Sequence, residues 1–142
     1  TNLGVENFVV EADGTLQAFK VNAVSKTDSY TVVAADSGTF FDTTGAPCAV
    51  TFTLPTLADG LFFRFSCAAV VNAAAMAITA PLNGTLIGFN SIASTTVTIN
   101  TDNKTAGVVF DVWSNAAASL WNVACMNPFN GAVTNGATIV LS

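Results

Sequence analysis

The chain has 142 residues, a length that fits one domain; 51% of them are hydrophobic and only 9% charged, against about 25% in an average soluble domain. Four Lys and Arg against nine Asp and Glu give a net charge of -5, which argues against nucleic acid or an anionic membrane as partner, since both call for a basic face. His is absent, and this excludes a Ser-His-Asp triad, a Cys-His pair and a His-ligated metal.

Period-2 runs and turn residues dominate, and no segment keeps a 3.6-residue stripe. The opening Thr1 to Glu6 has neither the basic nor the apolar region of a signal peptide. Phe8 to Glu11 reads as a short strand broken at Asp13-Gly14, and Leu16 to Val24 alternates as a strand or an extended arm. Ser25 to Ser29 is a polar link, so residues 1–29 are set apart as an N-terminal arm and 30–142 as the body. Tyr30 to Val33 is the next strand, and Ala35 to Gly38 a turn whose Gly is free to take positive φ.

Thr39 to Phe41 follows, then Ala49 to Leu54, where Val50, Phe52 and Leu54 share one face and Thr51 and Thr53 the other. Pro55 and Asp59-Gly60 turn the chain. In the next strand Leu61, Phe63, Phe65 and Cys67 lie on one side; Phe62, Arg64 and Ser66 lie on the other. Strands are expected again at residues 75–80, 85–89, 95–100, 107–113 and 120–124, with a helical turn at Ala116 to Ser119. Ala132-Val133 and Thr138 to Leu141 flank Asn135-Gly136, a hairpin signal. Roughly ten short strands with such turn spacing predict an all-β fold, an antiparallel β-sandwich that is jelly-roll-like.

Residues 65–101 and 112–142 carry no Asp, Glu, Lys or Arg. A surface of Thr, Ser and Asn, partly covered by other subunits, suits that pattern. Cys48, Cys67 and Cys125 are an odd set without CxxC spacing and read as small buried apolar residues, not as a disulfide scaffold or a zinc site. Most acids sit beside turns and are expected to accept hydrogen bonds from turn amides rather than to act as a catalytic pair. No metal and no cofactor is expected. Arg64 either anchors an interface through a two-point contact to a carboxylate or points to solvent. Trp113 and Trp121 read as cross-strand partners in one hairpin, or alternatively as an aromatic sugar-binding platform.

Tyr30 to Phe41, Thr44-Gly45-Ala46 and Ala49 to Pro55 together resemble a module of structural proteins of tailed bacteriophages, and Gly60 to Phe65, Asn83 to Gly88, Val112 to Asn115 and Leu120 to Val123 agree with it. The resemblance implies a capsid decoration (cement) protein, or a domain of a tail fibre or head appendage. A module of this length behind an extended arm looks more like a cement protein, bound as a homotrimer to the major capsid protein at capsomer junctions. Such a protein is a virion component assembled in the bacterial cytoplasm, and it is not an enzyme. Three sites per trimer would add avidity, and the arm residues Phe8, Val9, Val10, Leu16, Phe19 and Val21, with Arg64, are the candidate interface. The alternative is a receptor- or glycan-binding appendage domain with Trp113 and Trp121 as stacking platforms.

Overall fold

The computed structural model describes residues 8–10, 12–13, 16–19, 21–67, 76–88, 92–100, 107–126 and 138–141. Among them the regular structure is strand, with two single-turn 3-10 segments, Ala34–Asp36 and Ala116–Ala118, and no α-helix. β1 (Phe8–Val10) and β2 (Leu16–Phe19) form an antiparallel ribbon. Then come β3 (Ala23–Ser25), β4 (Tyr30–Thr31), β5 (Phe40–Asp42), β6 (Val50–Thr53), β7 (Phe62–Cys67) and β8 (Met76–Thr79). The last six are β9 (Leu86–Gly88), β10 (Ile92–Ser94), β11 (Thr96–Asn100), β12 (Val108–Asn115), β13 (Leu120–Cys125) and β14 (Thr138–Leu141).

Two main sheets result, one of seven strands in the order β10-β9-β13-β12-β7-β5-β3 and one of five in the order β14-β11-β8-β6-β4. The expected all-β class holds. The expected antiparallel order holds only in part: β7, β12 and β13 pair antiparallel, as do β9 with β10 and β8, β11 and β14 in turn, but β3, β5 and β7 pair in parallel, as do β4, β6 and β8, and β9 runs parallel to β13. The reason lies in the path of the chain. From β3 to β8 it crosses to the opposite sheet at every step, so each strand returns beside its predecessor-but-one in the same direction. Parallel neighbours need a crossover of a dozen or more residues, and here a strand of the other sheet supplies it.

The five-stranded sheet ends on β14, which pairs antiparallel with β11. It therefore joins a strand far back in the chain; Ala132-Val133, its expected hairpin partner, and Asn135-Gly136 lie outside the described residues. The sequence pattern gives no separate signal for β10. The expected strand at residues 16–24 divides into β2 and β3, and β3, although within residues 1–29, hydrogen-bonds to β5 at the edge of the large sheet. Lys26 N donates to Asp42 O at 2.8 Å and Phe40 N to Asn22 O at 2.8 Å, extending that edge.

The two sheets meet through aromatic rings. Phe52 of β6 lies 4.9 Å from Phe65 of β7 and 5.6 Å from Phe41 of β5, and Phe41 stacks on Phe65 at an interplanar angle of 16°. All three are fully buried. In register they continue as ladders, Val24-Phe41-Phe65-Phe110 in one sheet and Tyr30-Phe52-Ile78-Val97 in the other. Burying each such ring stabilises the fold by about 1.5–3 kcal/mol, with aromatic pairing adding to it. The alternation read at β6 and β7 is what aims these side chains inward.

The acids at turns behave as their neighbours suggest. Asp36 Oδ2 accepts from Val33 N and from the Tyr30 hydroxyl, each at 3.0 Å, closing the first 3-10 turn. That hydrogen bond, with burial and the nearby carboxylate charge, raises the Tyr30 phenol above its ordinary pKa. Asp42 Oδ1 accepts from Thr44 N at 2.8 Å. Burial works against the Asp42 charge, but hydrogen bonds from Thr44 and Ser25 outweigh it and the carboxyl lies below its ordinary pKa. The expectation that all three cysteines are buried fails at one of them: Cys67 is buried and Cys125 half-buried, while Cys48 sits exposed in the loop before β6.

Candidate functional site

Period-2 alternation gives the seven-stranded sheet an outward face as well as an inward one. Across it, register places Phe62 opposite Trp113, Trp113 opposite Asn122 and Asn122 opposite Ile87. Phe62 is 38% exposed and Trp113 is 40% exposed, so two large rings stand side by side in solvent. Next to them, one pleat along, Arg64 lies between Phe40 and Asp111.

Arg64 makes a two-point carboxylate contact, but within its own chain rather than across an interface. Arg64 Nε donates to Asp111 Oδ1 at 2.6 Å and Arg64 Nη2 to Oδ2 at 2.7 Å. The bond to Asp111 raises the guanidinium further above its already high ordinary pKa, burial opposing it and the carboxylate charge adding to it. The fork geometry ties the two side chains together and cancels their charges. The result is an outward face with two aromatic rings at its centre and one internal ion pair beside them; Asp42, two residues beyond Phe40 on β5, adds a carboxylate one pleat further along.

Trp121 does not belong to that face. It is 1% exposed and packs its ring 5.9 Å from Phe63 in the core, so Trp113 and Trp121 share one hairpin but are not the cross-strand partners expected, and the alternative paired platform does not form either. Four residues separate the paired positions Asn115 and Leu120, which sets Trp113 opposite Asn122 and Ser114 opposite Trp121. Two residues of like parity then lie on opposite faces. Asn115 Oδ1 accepts from Ala118 N at 3.1 Å and Ser119 takes φ 55°, fixing that loop length.

Of the arm residues, Val21 is half-exposed; Phe8, Val9 and Val10 lie in β1 and Leu16 and Phe19 in β2, with their side chains outside the described residues. Among the described residues no group of three or more His, Cys, Asp or Glu gathers as a metal site. No helix among them is long and apolar enough to cross a membrane.

A second feature has no counterpart in the sequence pattern. A cleft of about 280 Å³ opens between the loop after β6, at Thr56 and Leu57, the Pro81–Gly84 turn, and Ser119 with Trp121. The turn closes through Gly84 N donating to Pro81 O at 2.7 Å, with Asn83 in the left-handed region at φ 62°. No single segment carries this cleft, which is why no local motif announces it. No protein-family model, curated protein or solved structure matches the chain.

Proposed function

We propose that the chain is a non-enzymatic structural component of a phage particle, a decoration protein whose two facing sheets form a sandwich-like body seated on the outside of the head. The observation that carries this reading is the outward face of the large sheet. Exposed aromatic rings beside charges already cancelled within the chain are the composition of an interface centre, where unpaired charge is costly and aromatic residues are enriched. The phage-module resemblance supplies the occupant, the major capsid protein. Homotrimer formation would let three modest footprints add their affinities, and the arm would reach a neighbour by strand addition.

The test is re-addition of purified protein to heads stripped of it. Trp113→Glu and Phe62→Glu place a charge at the centre of the face and are expected to abolish occupancy while leaving far-ultraviolet circular dichroism unchanged. Sedimentation is expected to give a trimer. Full occupancy by both variants, or a stable monomer at micromolar concentration, would count against the reading.

A further inference from the structure

We infer that Asn83 is a site of spontaneous deamidation, and that the Pro81–Gly84 turn sets its rate by holding the reacting atoms apart. Asn83 is exposed and is followed by Gly84, and glycine is the residue whose backbone nitrogen is least obstructed in attacking the side chain before it. The reaction needs only water. Gly84 N gives its proton to a base in solution and bonds to Asn83 Cγ, and the side-chain nitrogen leaves as ammonia. Water then opens the five-membered imide at either carbonyl, giving aspartate or an isoaspartate whose main chain runs through the former side chain.

The closed turn opposes the attack in two ways. Gly84 N donates to Pro81 O at 2.7 Å, so the proton that must leave is held in a hydrogen bond. Asn83 has φ 62° while Leu82 keeps negative φ, and positive φ at the third residue alone makes this a type II turn, in which ψ there is about 0°. At that ψ the side chain of Asn83 lies roughly 120° from Gly84 N about the Cα–C bond, and closing the ring takes that rotation. The rotation breaks the bond to Pro81 O. Little movement is available short of it, because a Cβ on Gly84 would already stand 2.8 Å from Pro81 Cδ.

The reaction therefore proceeds from the opened turn, at the rate of the unfolded chain multiplied by the fraction of turns open. Its product changes the surface. Residues 65–101 carry no Asp, Glu, Lys or Arg, and deamidation puts a carboxylate among them. An isoaspartate also lengthens the main chain by one carbon just before Thr85, whose O accepts from Trp121 N at 2.8 Å. Modified Asn83 is thus a lasting record of opening at the entrance to β9. The inference does not depend on what the outward face of the large sheet binds.

Incubation of the intact protein at mildly alkaline pH, folded and in urea, tests it, with Asn83 followed by peptide mass spectrometry and enzymatic detection of isoaspartate. Leu82 is 93% exposed, so substitutions there alter the turn without a loss of packing. Modification of Asn83 is expected to be about tenfold or more slower in the folded protein than in urea. Leu82→Pro presets the second position of a type II turn and is expected to slow the folded reaction a further two- to fivefold or so; Leu82→Gly loosens the turn and is expected to speed it by about as much. In urea all three chains should react alike, and circular dichroism checks that each variant is folded beforehand. Equal rates folded and in urea, or no difference among the three folded chains, would overturn the control by the turn. Absence of modification at Asn83 in urea would overturn the site itself.

Discussion

Arg64 and Asp111 stand directly opposite one another on β7 and β12, but solvent reaches them unequally: the arginine side chain is 42% exposed and the aspartate 11%. The two ends of this ion pair are therefore not interchangeable. Removing the arginine strands a carboxylate where water is scarce, whereas removing the aspartate leaves a guanidinium able to turn outward. Arg64→Met is expected to cost about 2 kcal/mol and Asp111→Ala under about 1 kcal/mol. The double variant should cost less than the sum. Urea midpoints of the four proteins check this, and equal costs for the two single changes would contradict it.

The Tyr30–Asp36 bond predicts a loss of stability in alkali. The folded state holds the phenol proton more tightly than the unfolded chain does, because the hydroxyl donates to Asp36 and a phenolate would face its carboxylate. A pKa raised by folding contributes stability that is complete below the ordinary tyrosine value and vanishes as pH rises through the folded one. Lys26 Nζ, 3.5 Å from the ring centroid, sits over the same ring. Tyr30→Phe is expected to lower stability at neutral pH by about 1 kcal/mol or less and to flatten the decline above about pH 10. Denaturation at stepped pH reads both effects, and an unchanged alkaline slope would assign the decline elsewhere.

These two pairs mark what a sequence makes legible. The inward phase of β6 and β7 is readable because alternation is local: Val50, Phe52 and Leu54, or Phe63 and Phe65, need no knowledge of partners. The turn role of Asp36 and Asp42 is readable for the same reason. Parallel order is not, since it depends on which sheet the chain crosses to between strands. The partner of Arg64 lies 47 residues away, and the cleft gathers three separate turns. Trp113 and Trp121 show the limit most sharply. One residue more or less between Asn115 and Leu120 would put both rings on the same face.

Gly88 predicts a steric test of the parallel join between β9 and β13. A Cβ there would stand 2.7 Å from Val123 O, a backbone atom that cannot rotate away. Gly88→Ala must therefore push the paired strands apart, and it is expected to cost about 1–3 kcal/mol. Gly38→Ala serves as the contrast, because its Cβ would meet nothing within 4 Å and only its φ of 87° resists substitution. That change is expected to cost about 1 kcal/mol. Hydrogen exchange should report faster opening of the Trp121 amide, which donates to Thr85 O, in the first variant alone.

Truncation separates the arm from the edge of the body. A chain starting at residue 21 keeps Asn22, whose O accepts from Phe40 N at 2.8 Å and whose side chain donates to Thr39 Oγ1 at 3.3 Å. It also keeps β3 and Lys26. A chain starting at residue 30 loses them all, and the backbone groups of β5 are bared along an open strand edge, a template for self-association. The shorter deletion is expected to leave the unfolding free energy within about 0.5 kcal/mol of the full chain while reducing head occupancy. The longer one should lower stability by about 2 kcal/mol or more and broaden the sedimentation profile. If both truncated chains are equally stable, β3 contributes nothing to the body; if the shorter deletion attaches to heads as the full chain does, the β1–β2 ribbon has no role in docking.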